Sequence, residues 1–177
     1  MKEKISLMKY LVVICLVFCT IVINAQDARL KKNELKLNAL MLVLGNPEID
    51  YEYLINDNSG IGIAANVNLD NNKLISNNYM VLPYYRLYVG KYSAAGFFFE
   101  INAGVVSEEV YRYDPINFEQ TKEDKVGFGP GVAIGGKFLI RSSIVLEFFG
   151  GLGRNFSSDE YGSYAFPRVG VSIGKRF

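Results

Sequence analysis

The sequence predicts an all-β chain, an eight-stranded antiparallel up-and-down transmembrane β-barrel preceded by a cleavable signal peptide. Three observations carry this expectation. Behind a short leader the chain divides into eight segments of period-two alternation. One alternating register is apolar almost throughout, and the other takes the charges. Glycines gather in the charged register, where they provide room rather than surface.

The leader comes first. Lys2, Lys4 and Lys9 give a basic start, residues 11–23 form an apolar run, and Ile23-Asn24-Ala25 offers a cleavage site after Ala25. That run is short of the roughly 20 residues of a spanning helix. Cleavage after residue 25 leaves 26–177 as one domain by length. Cys15 and Cys19, the chain's 2 cysteines, depart with the signal, so disulfide and thiol chemistry are excluded. The mature chain keeps 16 basic and 17 acidic residues, a balance that does not suggest nucleic acid as a partner.

Residues 26–33 read as a polar periplasmic lead-in, and 34–177 as the barrel. The expected strands are 34–44, 48–55, 60–69, 79–89, 97–107, 126–138, 144–155 and 164–177, separated by turn chemistry such as GNP (45–47) and NDNSG (56–60). In the first segment the apolar register is Leu35, Leu37, Ala39, Met41 and Val43; in the last it is Pro167, Val169, Val171, Ile173, Lys175 and Phe177. Over all eight segments it covers 40 positions with one charge, Lys175. The opposite register carries Lys36, Asp50, Glu52, Arg86, Glu100, Lys137, Glu147, Arg168 and Arg176.

Volume decides which register faces inward. The interior of an eight-stranded barrel is just wide enough for side chains, and the apolar register is too bulky for it. Inward glycines such as Gly62, Gly104, Gly129 and Gly174 make space for long charged neighbours. A Lys or Arg facing lipid at mid-bilayer costs about 2–4 kcal/mol, which accounts for a nearly charge-free outer register; Lys175, next to the end, can snorkel. The nine charged residues are therefore expected to form an ion-pair network in the lumen. Tyr53, Phe97, Phe138 and Phe177 fall at strand ends, as an interfacial aromatic girdle would.

Sites of chemistry are scarce. The chain has 0 histidines, which removes the common nucleophile triads and the commonest metal ligand. Asp50 and Glu52 share the inward face, but as members of the network rather than as an acid–base pair. GVAIGGK (131–137) nearly matches a phosphate-binding loop, yet Phe138 stands where Ser or Thr is needed and no helix is expected to follow. The acidic loop residues lack EF-hand spacing. No catalytic, metal or cofactor-binding residue is expected. The longest connection, 108–125, has arms that can extend strands five and six as a hairpin. It holds six acids against Arg112, Lys122 and Lys125, and Tyr111, Arg112, Tyr113 and Phe118 are its candidate partner-binding residues.

The whole mature chain resembles small eight-stranded outer-membrane proteins of the OmpA/OmpX type. Within that class, LPYYRLYVGKYSAAGFFFEINAGVV (82–106) is similar to a Bacteroidota family of exported barrels of unassigned function. The resemblance implies a bacterial outer-membrane location and outer-membrane lipid as surroundings. It also implies that Phe177, with Ile173 and Val171, acts as the signal read by the barrel-assembly machinery. The expected function is non-enzymatic, structural or recognitional, with an extracellular protein or glycan as the ligand class. The alternative is a narrow passive channel for ions or very small solutes.

Overall fold

The computed structural model describes residues 31–69, 77–114, 119–141, 143–156 and 165–177. Its strands are β1 (Asn33–Asn38), β2 (Glu48–Asn56), β3 (Ser59–Val67), β4 (Asn77–Val89), β5 (Gly96–Asp114), β6 (Glu119–Ile140), β7 (Ile144–Arg154) and β8 (Ala165–Arg176). Each pairs antiparallel with the next, and β8 returns to β1, so the sheet closes as an up-and-down barrel. Closure removes the sheet edges along the paired wall.

Period-two alternation sorts the side chains as the sequence implies. In β2, Glu48, Asp50, Glu52 and Leu54 are buried while Ile49, Tyr51 and Tyr53 are exposed. In β8, Phe166, Arg168, Gly170 and Ser172 point inward, and Pro167, Val169, Val171 and Ile173 point outward. The outer wall is thus a belt of Ile, Val, Leu, Phe and Tyr, and the buried charges lie inside it.

One strand departs from expectation. The segment 34–44 is not a single strand: β1 ends at Asn38, and Ala39–Val43 form a short helix, α1. Its sequence supplies both caps. The Asn38 side chain accepts from the Met41 amide at 3.3 Å, the N-cap arrangement. At the other end the Gly45 amide bonds Leu42 O at 3.2 Å and the Asn46 amide bonds Met41 O at 2.9 Å, with Gly45 at φ 79°. That pair of bonds is the glycine-terminated C-cap, and Pro47 prevents continuation. Ala39, Met41 and Val43 therefore do not belong to the strand register, and the link to β2 runs over 39–47 rather than the three residues of GNP. The lead-in also ends sooner than expected, since Asn33 already belongs to β1 and Lys32 O accepts from the Leu54 amide at 2.7 Å.

The longest hairpin is β5–β6, whose register continues past the barrel wall from Ser107↔Val126 to Asp114↔Glu119. On the flanks, β4 reaches only to Asn77↔Glu108, and β7 pairs with β6 only as far as Gly153↔Gly131.

Two clusters of apolar side chains pack inside the bore. Toward the mouth where Asn33 and Phe177 meet lie Leu54, Tyr88, Ala94, Phe98 and Phe149. Toward the other lie Ala64, Met80, Leu82, Tyr84, Val106 and Phe166. The β4–β5 turn folds under the first mouth: Ala94, at φ 44° and fully buried, donates its amide to Asp57 O at 2.6 Å.

Candidate functional site

The site is the polar network that interleaves with these two apolar clusters in the bore. Cross-strand register sets most of it. Lys36 stands opposite Asp50, Arg86 opposite Glu100, Lys137 opposite Glu147, and Glu34 opposite Arg176. Opposite charges on directly facing positions attract across the ladder, and the narrow bore then brings the pairs into contact with one another.

Glu52 is the hub. It accepts from Lys36 Nζ at 2.6 Å, from Lys137 Nζ at 2.9 Å and from Arg86 Nη1 at 3.2 Å, and the Tyr88 hydroxyl donates to its other oxygen. Glu147 is shared in the same way, with Lys36 Nζ at 2.9 Å, Arg86 Nη1 at 2.9 Å and Lys137 Nζ at 3.2 Å. Arg86 bonds Glu100 through Nε at 2.7 Å and lies between the rings of Tyr84 and Phe98, 4.4 Å from each centroid. Tyr84 donates to Asp50 at 2.5 Å.

The ends of the layer are anchored separately. Arg168 pairs with Glu100, which also accepts from Asn102 at 2.8 Å, and reaches Glu48 at 3.7 Å. Arg176 bonds Glu34 at 2.7 Å and donates to Ser93 O and Ala94 O, both at 2.9 Å. That last pair ties the β4–β5 turn across the mouth. All nine residues expected in the lumen are buried there.

Four further members escaped sequence reasoning: Glu34, Glu48, Tyr84 and Tyr88. The two glutamates lie one step of two outside Lys36 and Asp50 on the same alternation, which is the signal that could have found them. The tyrosines looked apolar, although the even-numbered register of β4 places them beside Arg86. With the glutamates included, the layer holds six carboxylates and five cations among the described residues.

Glycines make this crowding feasible. A Cβ at Gly62 would fall 2.3 Å from the Tyr84 hydroxyl, and one at Gly174 would fall 2.5 Å from Lys36 Cγ. At Gly150, on the outer face, nothing lies within 4 Å.

Among the described residues one group of carboxylates is dense enough to hold a metal ion, Glu34, Glu52 and Glu147, with oxygens within 4.8 Å of one another. The Lys36 and Lys137 ammoniums already occupy its centre, so the charge that would attract a cation is met by the chain itself. Asp50 accepts from the Tyr84 hydroxyl and lies 3.5 and 3.6 Å from Lys36 and Arg86, and Glu52 is bonded by three cations and the Tyr88 hydroxyl. Residues 131–137 form β-strand, with Lys137 buried in the lumen rather than facing a phosphate loop.

Val171 and Ile173 lie on the outer wall. Phe177 closes the β1–β8 seam through reciprocal backbone bonds with Asn33, at 3.1 and 2.8 Å. On the long hairpin, Tyr111, Arg112 and Tyr113 have backbone partners Lys122, Thr121 and Gln120; their side chains and the whole of Phe118 lie outside the described residues, as does the signal segment 1–25.

Residues 11–176 match a family described as "Protein of unknown function (DUF3575)". The chain belongs to that family. Among solved structures, the crystal structure of the N-terminal β-barrel domain of Pseudomonas aeruginosa OprF is similar, with a TM-score of 0.55 at 9% identity, covering 82% of this chain and 96% of that one. At that identity the likeness concerns the fold, and it agrees with the closed eight-stranded barrel. No curated protein matches the chain.

Proposed function

We propose that this DUF3575 member is a non-enzymatic outer-membrane barrel with a structural or surface-recognition role. The observation that carries the reading is the inversion of polarity: a continuous apolar wall outside and a buried layer of cross-strand ion pairs inside. In water that wall would be an apolar surface far larger than a monomer tolerates. In a bilayer it is the required surface, and closure satisfies the backbone. The resemblance to an outer-membrane barrel domain supports the same location.

Residues 1–25 act as the export signal, and Phe177 with Ile173 and Val171 presents the outward-facing terminal strand to the barrel-assembly machinery. The chain ends then face the periplasm, and the β5–β6 hairpin projects outward. Recognition of an extracellular protein or glycan is assigned to that hairpin. Its sequence carries six acids against Arg112, Lys122 and Lys125, so a basic or cation-bridged ligand suits it. Replacing 109–124 with a Gly-Ser turn is expected to leave folding and insertion intact while abolishing capture of a cationic surface ligand; binding that survives the replacement removes the hairpin from this role.

The channel alternative is disfavoured by the apolar clusters and ion-paired side chains packed within the bore. Purified barrel in planar bilayers is expected to show no sustained conductance. Steady single-channel currents would install the channel reading in its place.

A further inference from the structure

β1 is half the length of its neighbour β8, and what replaces its missing half is apolar. The last β1–β8 pair is Asn38↔Ser172, so β8 continues from Val171 to Ala165 with no β1 strand beside it. Those residues still pair with β7 and still carry the outward Val171, Val169 and Pro167. In their place on the β1 side stands α1, packed against β8.

The seam is closed by three devices. Asn38 acts as a substitute for strand backbone: its side chain accepts from the Val171 amide at 3.2 Å and donates to Val169 O at 3.2 Å and to Glu48 at 3.1 Å. Pro167, next in the same phase, brings no N–H that would need a partner. The helix satisfies its own ends through the caps at Asn38 and Gly45, and the Val67 and Leu69 amides bond Pro47 O and Gly45 O along the far side.

The segment 39–47 reads ALMLVLGNP and carries no charge. None of the helix residues is buried, and Val43 is 84% exposed, with Leu40 and Leu44 each at 37%. An aqueous surface loop of this composition would spread apolar area into water. At the level of Val169 and Val171, the same side chains continue the outer belt.

We propose that α1 is a membrane-embedded panel of the barrel wall, seated among outer-leaflet acyl chains where the upper half of β1 would otherwise stand. The inference rests on the outer-membrane reading and adds to it a lipid contact made by a helix rather than a strand. It also makes the upper β1–β8 seam the one stretch of the described wall held by side-chain and helix contacts instead of a strand ladder.

The chain contains 0 tryptophans, which allows a direct test. Three single-tryptophan variants of the full barrel, Val43→Trp, Val171→Trp and Tyr92→Trp, are refolded into phosphatidylcholine vesicles with bromine atoms near the headgroup end or near the middle of the acyl chains. Val171→Trp reports the outer belt, and Tyr92→Trp the exposed periplasmic turn. The proposal expects Val43→Trp to emit to the blue of Tyr92→Trp and to lose as much fluorescence to brominated chains as Val171→Trp does. Red-shifted, unquenched emission from Val43→Trp beside a quenched Val171→Trp overturns the panel. If Val171→Trp itself escapes quenching, the membrane reading has failed instead. Leu40→Trp, on the same helix, takes the place of Val43→Trp if that variant does not refold, and the same two outcomes decide.

Discussion

Removing the Arg86 guanidinium should be among the most damaging single changes in the barrel. In Arg86→Met the apolar stem is kept, and a charge that bonds Glu100, Glu52 and Glu147 at 2.7, 3.2 and 2.9 Å is lost. The layer already holds one more carboxylate than cation among the described residues, so the variant leaves a deficit of two inside a fully buried site. Breaking a buried pair by deleting one partner costs about 3–5 kcal/mol. Loss of the contacts with the Tyr84 and Phe98 rings, worth about 2 kcal/mol or more when desolvated, argues for the upper part of that range. The assay is urea unfolding in phosphatidylcholine vesicles, followed by the change in gel mobility between folded and heat-denatured protein. A lower midpoint with an unchanged slope reports lost stability rather than an altered end state. In the double variant Arg86→Met/Glu100→Gln the loss should be partly recovered, with a coupling of about 0.5–3 kcal/mol. A cost below about 1 kcal/mol, the value of a solvated surface pair, would show that the lumen is wet and loosely paired, and would refute the reasoning.

Two other substitutions probe how the wall is built. Gly62→Ala should cost about 1–3 kcal/mol by overpacking against Tyr84, whereas Gly150→Ala, with open space outside it, should be neutral in the same unfolding assay. Asn38→Ala should lose about 0.5–2 kcal/mol from the helix cap and more from the exposed β8 edge, and hydrogen exchange should accelerate at the Val171 amide. Slow exchange at Val171 in that variant would mean that the Asn38 side chain does not stand in for a strand.

The barrel was legible because period-two alternation with charges on one phase has few other physical solutions. The same pattern placed all nine predicted lumen residues, and Glu34 and Glu48 fall on it as well, at the first positions of the expected strands, although neither was singled out. It failed at 39–44, where both phases are apolar: Leu40, Leu42 and Leu44 interleave with Ala39, Met41 and Val43. An inward run of leucines does not suit a charged lumen, and Asn38, Gly45 and Pro47 are helix start and stop signals. Local capping therefore overrode the apparent alternation. The network's connectivity was not legible, because Glu52 meets Lys36, Lys137 and Arg86 from three other strands, and only the closed register brings them together. Tyr84 and Tyr88 were hidden for a different reason: only charges were sought on the inward register, while these uncharged side chains serve the carboxylates through their hydroxyls.

The central claim is that the apolar face meets lipid and the charged face fills the bore. It is tested most directly by fractionating cells that express the full chain, washing the membranes with alkaline carbonate, and running the outer-membrane fraction with and without boiling. The account expects the mature protein to remain in the washed outer membrane and to migrate differently before and after heating. Recovery of the mature chain as a soluble periplasmic protein, with a single mobility, would contradict it.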